Sequence, residues 1–252
     1  MELGSLANEL DRLLDVDAYA AVDPAMNGLQ VGDSGANIEH VVGAVDAAIE
    51  TIDKAGEVGG DLLLVHHGLF WGEQHRLTGL RFDRIDSLLD NNLALYAVHL
   101  PLDGHHTLGN AAVIADHLGL TDRQPFPTET TPIGLLGEVD IDVKNLIDTV
   151  ASAIDRDVSF LRTLGPEPAS VAKIAIVTGS GTDYIETAAE IGADVLITGE
   201  PKQAAFHAAD DIGLPVILAG HYATETGGIR ALLEHIGAQE LETTFIDVPT
   251  GL

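Results

Sequence analysis

The 252-residue sequence contains no cysteine, and only 4% of its residues are aromatic. The lack of cysteine excludes disulfides and thiolate ligands, so a bound metal must be held by His, Asp or Glu. No apolar run approaches the roughly 18 residues of a membrane span. The segment Met1–Ser5 lacks a basic region followed by an apolar one, so we expect no secretion signal and a cytoplasmic protein.

Positive charge is also scarce, since 12 Lys and Arg residues face 40 Asp and Glu residues, for a formal net charge of −28. Such a field repels nucleic acid and anionic membranes, so we expect neither direct nucleic-acid binding nor membrane association. The carboxylates are scattered over the chain and form no acidic tail. We interpret this composition as an adaptation to high salt, where screening removes the self-repulsion.

Lowering the salt concentration is therefore expected to lower the melting temperature, because repulsion between unscreened carboxylates destabilises the folded state. Thermal unfolding followed by circular dichroism at a series of KCl concentrations measures this dependence. A melting temperature that does not respond to salt contradicts the interpretation.

Apolar runs of strand length alternate with amphipathic helical patterns along the chain. This alternation predicts an α/β fold with mostly parallel strand pairing. The predicted strands are 40–45, 62–65, 93–98, 158–161, 174–177, 195–198 and 214–219. The predicted helices are 3–15, 47–55, 85–89, 108–118, 143–154 with Asp142 as N-cap, and one around 185–187. The Pro- and Thr-rich segment 121–132 is the best candidate for a linker.

The second half of the chain echoes the first. Residues 192–200 resemble residues 59–67, and the strand at 214–219 corresponds to the strand at 93–98. We predict two α/β repeats, residues 1–125 and 126–252, whose polar strand ends face each other across a shared cleft. Chance likeness between two βαβ units is the alternative.

Potential metal ligands follow several of the predicted strands. One buried strand ends in His66 and His67, and Asp103, His221 and Glu225 follow other strands. When the two similar parts of the sequence are aligned, Glu225 corresponds to Asp103. Open α/β sheets place their functional sites at such strand ends, and these nitrogen and oxygen donors suit Zn, Mn, Fe, Co or Ni. Taken alone, the histidine pair could equally be two solvated loop residues.

The number of these ligands predicts two metal ions. Five protein ligands exceed the three that a single catalytic zinc usually takes. Two divalent ions roughly 3.5–4 Å apart, sharing a carboxylate and a water, fit better. Such a pair makes hydroxide available at neutral pH. It also leaves a net-positive pocket that attracts phosphate or another anion.

The joint set of motifs resembles one family, the Nif-three-like family, which includes the bacterial YbgI proteins and is often labelled GTP cyclohydrolase I type 2. The resemblance covers nearly the whole chain and is carried by Asn27–Val31, His66–Trp71, His99–Asp103, Thr198–Glu200, Gly220–Glu225 and Thr244–Pro249. The dinuclear ligands that the resemblance implies are His66, His67, Asp103, His221 and Glu225. It further implies two intertwined α/β repeats with mixed sheets, a metal site between them and a toroidal homohexamer.

Two further residues are candidates for catalysis. His99 could be an acid–base group or a partner that orients a metal ligand, although a buried histidine with satisfied hydrogen bonds is the alternative. Glu200 could bind a ligand or move a proton, unless it caps the helix that Pro201 would open.

Other features have a structural reading that we favour over a functional one. Core packing is expected of Phe70 and Trp71 rather than stacking on a base. A tight turn is expected of Thr178–Gly181 rather than a phosphate-binding loop. Asn27 is expected to occupy a turn with positive φ. Arg230 is either a phosphate partner or a surface charge on a helix.

Together these observations predict a dinuclear metal-dependent hydrolase that acts on a small anionic substrate, a nucleotide or similar phosphorylated heterocycle. The family label implies opening of the guanine ring of GTP, although no residue identifies guanine. Hydrolysis of damaged or modified nucleotides would use the same site. A non-catalytic metal-binding scaffold or metal-delivery protein is the alternative from another class.

Overall fold

The computed structural model describes residues 1–72, 76–127, 131–168 and 170–252. The helices among these residues are α1 (Leu3–Leu13), α2 (Val16–Tyr19), α3 (Ile49–Glu57), α4 (Leu80–Asp90), α5 (Leu100–Asp103), α6 (Asn110–Leu118), α7 (Val143–Ala153), α8 (Ile185–Glu190), α9 (Gln203–Ile212) and α10 (His221–Gly237). Each is too short or too polar to cross a membrane.

The strands form two mixed sheets, which confirms the predicted α/β class. They are β1 (Gly28–Val31), β2 (His40–Asp46), β3 (Leu62–His67), β4 (Ala94–Ala97), β5 (Thr121–Phe126), β6 (Gly134–Ile141), β7 (Arg162–Leu164), β8 (Val171–Ile176), β9 (Val195–Thr198), β10 (Val216–Leu218) and β11 (Glu242–Phe245). The sheet orders are β1-β4-β3-β2-β11 and β5-β6-β8-β9-β10-β7. Each sheet contains three parallel strands that follow one another in the chain, β2-β3-β4 and β8-β9-β10.

The chain contacts define two compact units. The first comprises Met1–Leu102 and Ile229–Val248, and the second comprises Asp103–Gly228 and Pro249–Leu252. These bounds differ from the predicted halves 1–125 and 126–252, because the prediction rested on similarity between two parts of the sequence and the units rest on contacts. The duplication itself stays a prediction.

In the first unit, the buried strand β3 is the centre of the five-stranded sheet. Leu63 and Val65 point to one face, where Ile52 of α3 and Leu88 of α4 pack against them in a single apolar cluster. Successive side chains of a strand alternate between the faces of a sheet, so a strand buried on both faces reads as a continuous apolar run. The rigid backbone of β3 fixes the position of the two histidines at its end.

The second unit has an apolar cluster on each face of its sheet. Ile174 and Ile176 of β8 face a cluster with α6 and α7, whereas Ala175 faces a cluster with α8 and α9. The predicted N-cap of α7 is confirmed, because the Asp142 side chain accepts a hydrogen bond from the Asn145 backbone amide at 2.9 Å. This unit therefore presents the ends of three parallel strands from a firmly packed three-layer core.

The linker prediction for 121–132 is wrong over its first half. Residues 121–126 form β5, which pairs antiparallel with β6 at the edge of the second sheet. Proline is tolerated in an edge strand because its missing N–H can face solvent, so Pro125 does not interrupt the pairing. Residues 128–130 lie outside the described residues.

The strand predicted at 158–161 is also absent. Val158–Phe160 form a 3₁₀ turn, and the strand β7 begins only at Arg162. The Asp157 side chain accepts a hydrogen bond from the Ser159 backbone amide at 2.9 Å. This local cap stabilises the turn at the point where β propensity alone favoured an extended chain.

Candidate metal centre

Three imidazoles lie together at the strand ends of the first unit. His66 and His67 close β3, and His99 follows the neighbouring parallel strand β4. Their rings are 4.7 Å apart for His66 and His67 and 5.0 Å apart for His66 and His99, measured between centroids. One nitrogen from each residue lies within 4.8 Å of the other two. This spacing is that of ligands around a single cation.

Hydrogen bonds orient all three rings in the same way. The Nδ1 atom of His66 is 2.9 Å from the Val98 carbonyl, that of His67 is 2.8 Å from Asp46 Oδ1, and that of His99 is 2.9 Å from Asp23 Oδ1. Because a carbonyl or carboxylate oxygen accepts, each Nδ1 carries the proton and each Nε2 is the basic nitrogen. Metal-binding histidines in proteins are held in this manner.

Asp23 was not among the site residues predicted from the sequence, yet its buried side chain holds His99 in place. Asp23 also accepts hydrogen bonds from the backbone amides of Ala25 and Leu100. Burial acts to raise the pKa of Asp23, but the hydrogen bond and charge of His99, with bonds from Asn27 and Ala25, outweigh burial and lower it. A carboxylate held ionised in this way fixes the His99 tautomer. Seventy-six positions separate the two residues, and no sequence signal links them.

Asn27 supports the same residues rather than adopting the expected positive φ, which falls on Gly28. The Asn27 side chain donates to Asp23 Oδ2 at 2.9 Å and accepts from the His99 backbone amide at 2.7 Å. Asn27 therefore positions His99 in two ways. It accepts from the His99 backbone amide, and it donates to Asp23, the carboxylate that holds the His99 ring.

Trp71 is not a core residue, contrary to the expectation. It is 37% exposed, and its ring lies 5.0 Å from that of His99 and 5.9 Å from that of His67. Phe70 does pack against the core of the first unit. Trp71 therefore covers the outer side of the histidine cluster. Arg230 stacks on the Phe245 ring at 3.7 Å, as a helix surface charge would.

A second set of donors lies at the strand ends of the second unit. His221 begins α10 directly after β10, and Glu225 follows one helical turn later on the same face. His221 Nε2 lies 3.2 Å from Glu225 Oε1. Oxygen atoms of Asp103 and Glu225 lie within 4.8 Å of each other. The unit thus brings together the three ligands predicted for it.

Asp103 is buried and held by two donors on one oxygen. Asn110 Nδ2 donates to Asp103 Oδ1 at 2.8 Å, and Thr178 Oγ1 donates to the same atom at 3.0 Å. Asn110 is itself fully buried and accepts from the Gly228 backbone amide at 2.8 Å. These bonds fix the carboxylate relative to the helix that carries Glu225.

Glu200 follows β9 and contacts His221 rather than capping a helix. The next helix, α9, begins at Gln203 with no side-chain cap. Glu200 Oε1 accepts from Ser180 Oγ at 2.5 Å, and Oε2 lies 3.3 Å from His221 Nδ1. The hydrogen bond from Ser180, followed by the charge of His221, lowers the pKa of Glu200 despite its partial burial.

His221 therefore lies between two carboxylates. Burial acts to lower the pKa of His221, but Glu225 and then Glu200 outweigh burial and raise it to about 9. A cation that binds a nitrogen of His221 must displace this proton. Glu225 and Glu200 stabilise the positive charge of the protonated His221 ring. A metal cation bound there would supply positive charge at the same place, so the two carboxylates would stabilise it as well.

Thr178–Gly181 is a loop that leads into a 3₁₀ helix at Gly181, and two of its amides are already engaged. The Gly179 and Gly181 amides donate to the hydroxyls of Thr224 and Thr198. Gly179 has φ +61°, and a Cβ there would overlap Glu225 Oε1 and lie 3.2 Å from His221 Nε2. A side chain at this position would fill the space beside the donor atoms.

Replacing Gly179 with alanine is expected to lower metal affinity by about 10- to 100-fold, the usual cost of disturbing groups around a metal ligand. The new methyl group must push the Glu225 carboxylate away. Metal titration of the purified variant measures the change.

Gly192→Ala is the matched control, because Gly192 has φ +75° and a Cβ there would meet nothing within 4 Å. Both variants carry a similar backbone cost of about 1 kcal/mol. Equal metal affinity in the two variants contradicts the assignment of Glu225 as a ligand.

The donor sets fit divalent metal ions of borderline hardness. One set offers the imidazoles of His66 and His67 with that of His99 beside them, and the other offers two carboxylates and an imidazole. Such nitrogen and oxygen donors suit Zn, Mn, Fe, Co or Ni.

Comparisons with known proteins agree along the whole chain. A family model described as Duf34/NIF3 (NGG1p interacting factor 3) matches residues 1–251. A GTP cyclohydrolase 1 type 2 homolog from Halobacterium salinarum is 46% identical over 100% of both chains. The homolog of the same name from Escherichia coli is 38% identical over 96% of this chain and 97% of its own. The crystal structure of TTHA1606 from Thermus thermophilus has a TM-score of 0.88 at 36% identity, over 100% of both chains.

Proposed function

Because this chain belongs to the Duf34/NIF3 family, we propose that it is a divalent-metal-dependent hydrolase acting on a nucleotide-like substrate. The observation that carries the proposal is the common orientation of three clustered imidazoles, each held through Nδ1. A purely structural histidine cluster has no need to hold every ring through Nδ1 and to bring one nitrogen of each residue within 4.8 Å of the other two.

We assign five residues as ligands of two divalent ions, His66, His67, Asp103, His221 and Glu225. Divalent ions bound by these groups would polarise the substrate and make water a nucleophile at neutral pH. The ligand set contains two carboxylates, so two such ions leave a net positive charge that favours an anionic substrate. The name of the curated relatives, GTP cyclohydrolase 1 type 2 homolog, supports a nucleotide.

His99 and Glu200 are the candidates for proton transfer. The Asp23 carboxylate keeps the His99 proton on Nδ1, so Nε2 can accept a proton from an attacking water. Glu200 is partly exposed beside His221 and can hydrogen-bond a substrate N–H or pass a proton onward. Both roles are proposals, as are the cytoplasmic location and the homohexamer expected from the family resemblance.

The proposal is tested by incubating metal-loaded protein with GTP and a panel of nucleotides, modified nucleotides and phosphodiesters. Hydrolytic ring opening of GTP consumes one water, and a second water releases formate, so formate and phosphate are both assayed. Turnover of GTP, or of a modified nucleotide only, identifies the substrate. A metal-replete protein that is inert on every substrate contradicts the proposal and favours a metal-binding scaffold or metal-delivery protein.

A further inference from the structure

We infer that a cavity in the second unit binds the nucleotide itself, with its phosphate on Arg162 and its ring against Phe160. The cavity has a volume of about 600 Å³ and is lined in part by Phe160, Arg162, Glu200, Pro201 and Leu218. Ligand sites for small molecules usually have about 300–1,000 Å³. The assignment of the ligand as a nucleotide rests on the proposed function. The presence and lining of the cavity are independent of that function.

Glu200 connects this cavity with the candidate metal centre. One of its carboxylate oxygens lies 3.3 Å from His221 Nδ1, and the residue forms part of the cavity wall. One edge of a molecule bound in the cavity would therefore lie beside Glu200, which contacts the proposed metal ligand His221. N–H groups on the edge of a heterocycle are suitable donors to the oxygens of the Glu200 carboxylate.

Arg162 gives this cavity a cation in a chain that has few. It lies on the edge strand β7, paired with Leu218 of β10. Some cationic side chains in the described part of the chain pair with carboxylates, as Arg123 does with Asp116, whereas no carboxylate pairs with Arg162. A guanidinium in this position suits the bidentate recognition of a phosphate.

Phe160 supplies an apolar surface to the same cavity. It packs partly against the core, and its ring lies so close to the Gly220 backbone that a Cβ at Gly220 would be 2.5 Å from it. The ring is thus held in place while part of it lines the cavity. An aromatic ring beside a cation is the combination that binds a planar base with an attached phosphate.

The test uses the full-length protein titrated calorimetrically with GMP, guanosine and inorganic phosphate, each with and without a chelator. The chelator removes any contact between phosphate and metal, so the cavity is measured alone. Arg162→Ala is expected to weaken GMP binding at least tenfold in the presence of the chelator and to leave guanosine unchanged. Phe160→Leu, which keeps an apolar side chain on the core, is expected to weaken both GMP and guanosine.

Arg156→Ala is the matched control, since Arg156 belongs to the same unit and, among the described residues, its side chain bonds only the Asp155 carbonyl. It removes the same charge and is expected to leave GMP binding unchanged, while Arg162→Lys is expected to retain part of the affinity. Equal GMP affinity in wild type and Arg162→Ala, or no GMP binding to the wild type, overturns the inference.

These outcomes are separable from those of the proposed function. Metal-dependent hydrolysis with GMP affinity unaffected by Arg162→Ala retains the hydrolase and rejects the cavity. Arg162-dependent GMP binding in a protein that hydrolyses nothing retains the cavity and rejects the hydrolase.

Discussion

Replacing His66 with alanine is expected to lower metal affinity by more than about 100-fold, beyond the usual cost of disturbing a group behind a ligand. His66 is fully buried at the end of β3, and its Nδ1 bond to the Val98 carbonyl leaves Nε2 as the ligand atom. Hydrolysis should fall with metal content, because the proposed reaction depends on the bound ions. Elemental analysis and formate release measure the two effects.

His117→Ala is the control for the loss of an imidazole. His117 is exposed on α6, and its Nδ1 bonds the Val113 carbonyl one helical turn earlier. Metal content and activity should be unchanged in this variant. A His66→Ala protein that is folded by circular dichroism and still binds two equivalents of metal would refute the ligand assignment.

Replacing Asn110 with leucine is expected to lower the free energy of unfolding by about 2–4 kcal/mol, because two buried hydrogen bonds are lost together. The Gly228 amide loses its side-chain acceptor and Asp103 loses one of its two side-chain donors. Metal affinity should also fall about 10- to 100-fold, because Asp103 is held less firmly when only the hydrogen bond from Thr178 remains of this pair. Urea unfolding and metal titration measure the two effects.

Asn145→Leu is the matched control. Asn145 is exposed in the first turn of α7, where its side chain donates to Asp142 Oδ2 and its backbone amide donates to Asp142 Oδ1. Leucine therefore removes one exposed hydrogen bond and keeps the backbone cap. Its unfolding free energy should change by no more than about 0.5 kcal/mol. Similar destabilisation by both substitutions would show that the buried hydrogen bonds of Asn110 to Asp103 and Gly228 do not stabilise the fold.

Periodicity was a reliable guide where burial follows the geometry of one element. The leucines of α1 occupy one buried face, and the apolar run of β3 is a buried central strand. Periodicity failed where contacts with residues distant in sequence determine the secondary structure. Residues 121–126 are polar and proline-containing, yet they form a strand because β6 offers an unpaired edge. Composition cannot reveal that edge.

Strand ends were the best sequence signal for the candidate site. His66 and His67 end a buried parallel strand, and His221 and Glu200 follow two others, so their grouping within each unit could be anticipated. The supporting residues could not be. Asp23 reaches His99 across 76 positions and Asn110 reaches Gly228 across 118 positions. Asp and Asn are common in loops, and only tertiary contacts reveal which of them orient a ligand.

The placement of β11 has a consequence for biosynthesis. This strand, Glu242–Phe245, is the parallel neighbour of β2 in the first sheet. During translation β2 leaves the ribosome long before β11, so its outer backbone groups stay unpaired while most of the chain is made. Such an edge invites association with other nascent chains. Chaperone demand should therefore be greatest before β11 emerges, and variants that lack β11 should aggregate.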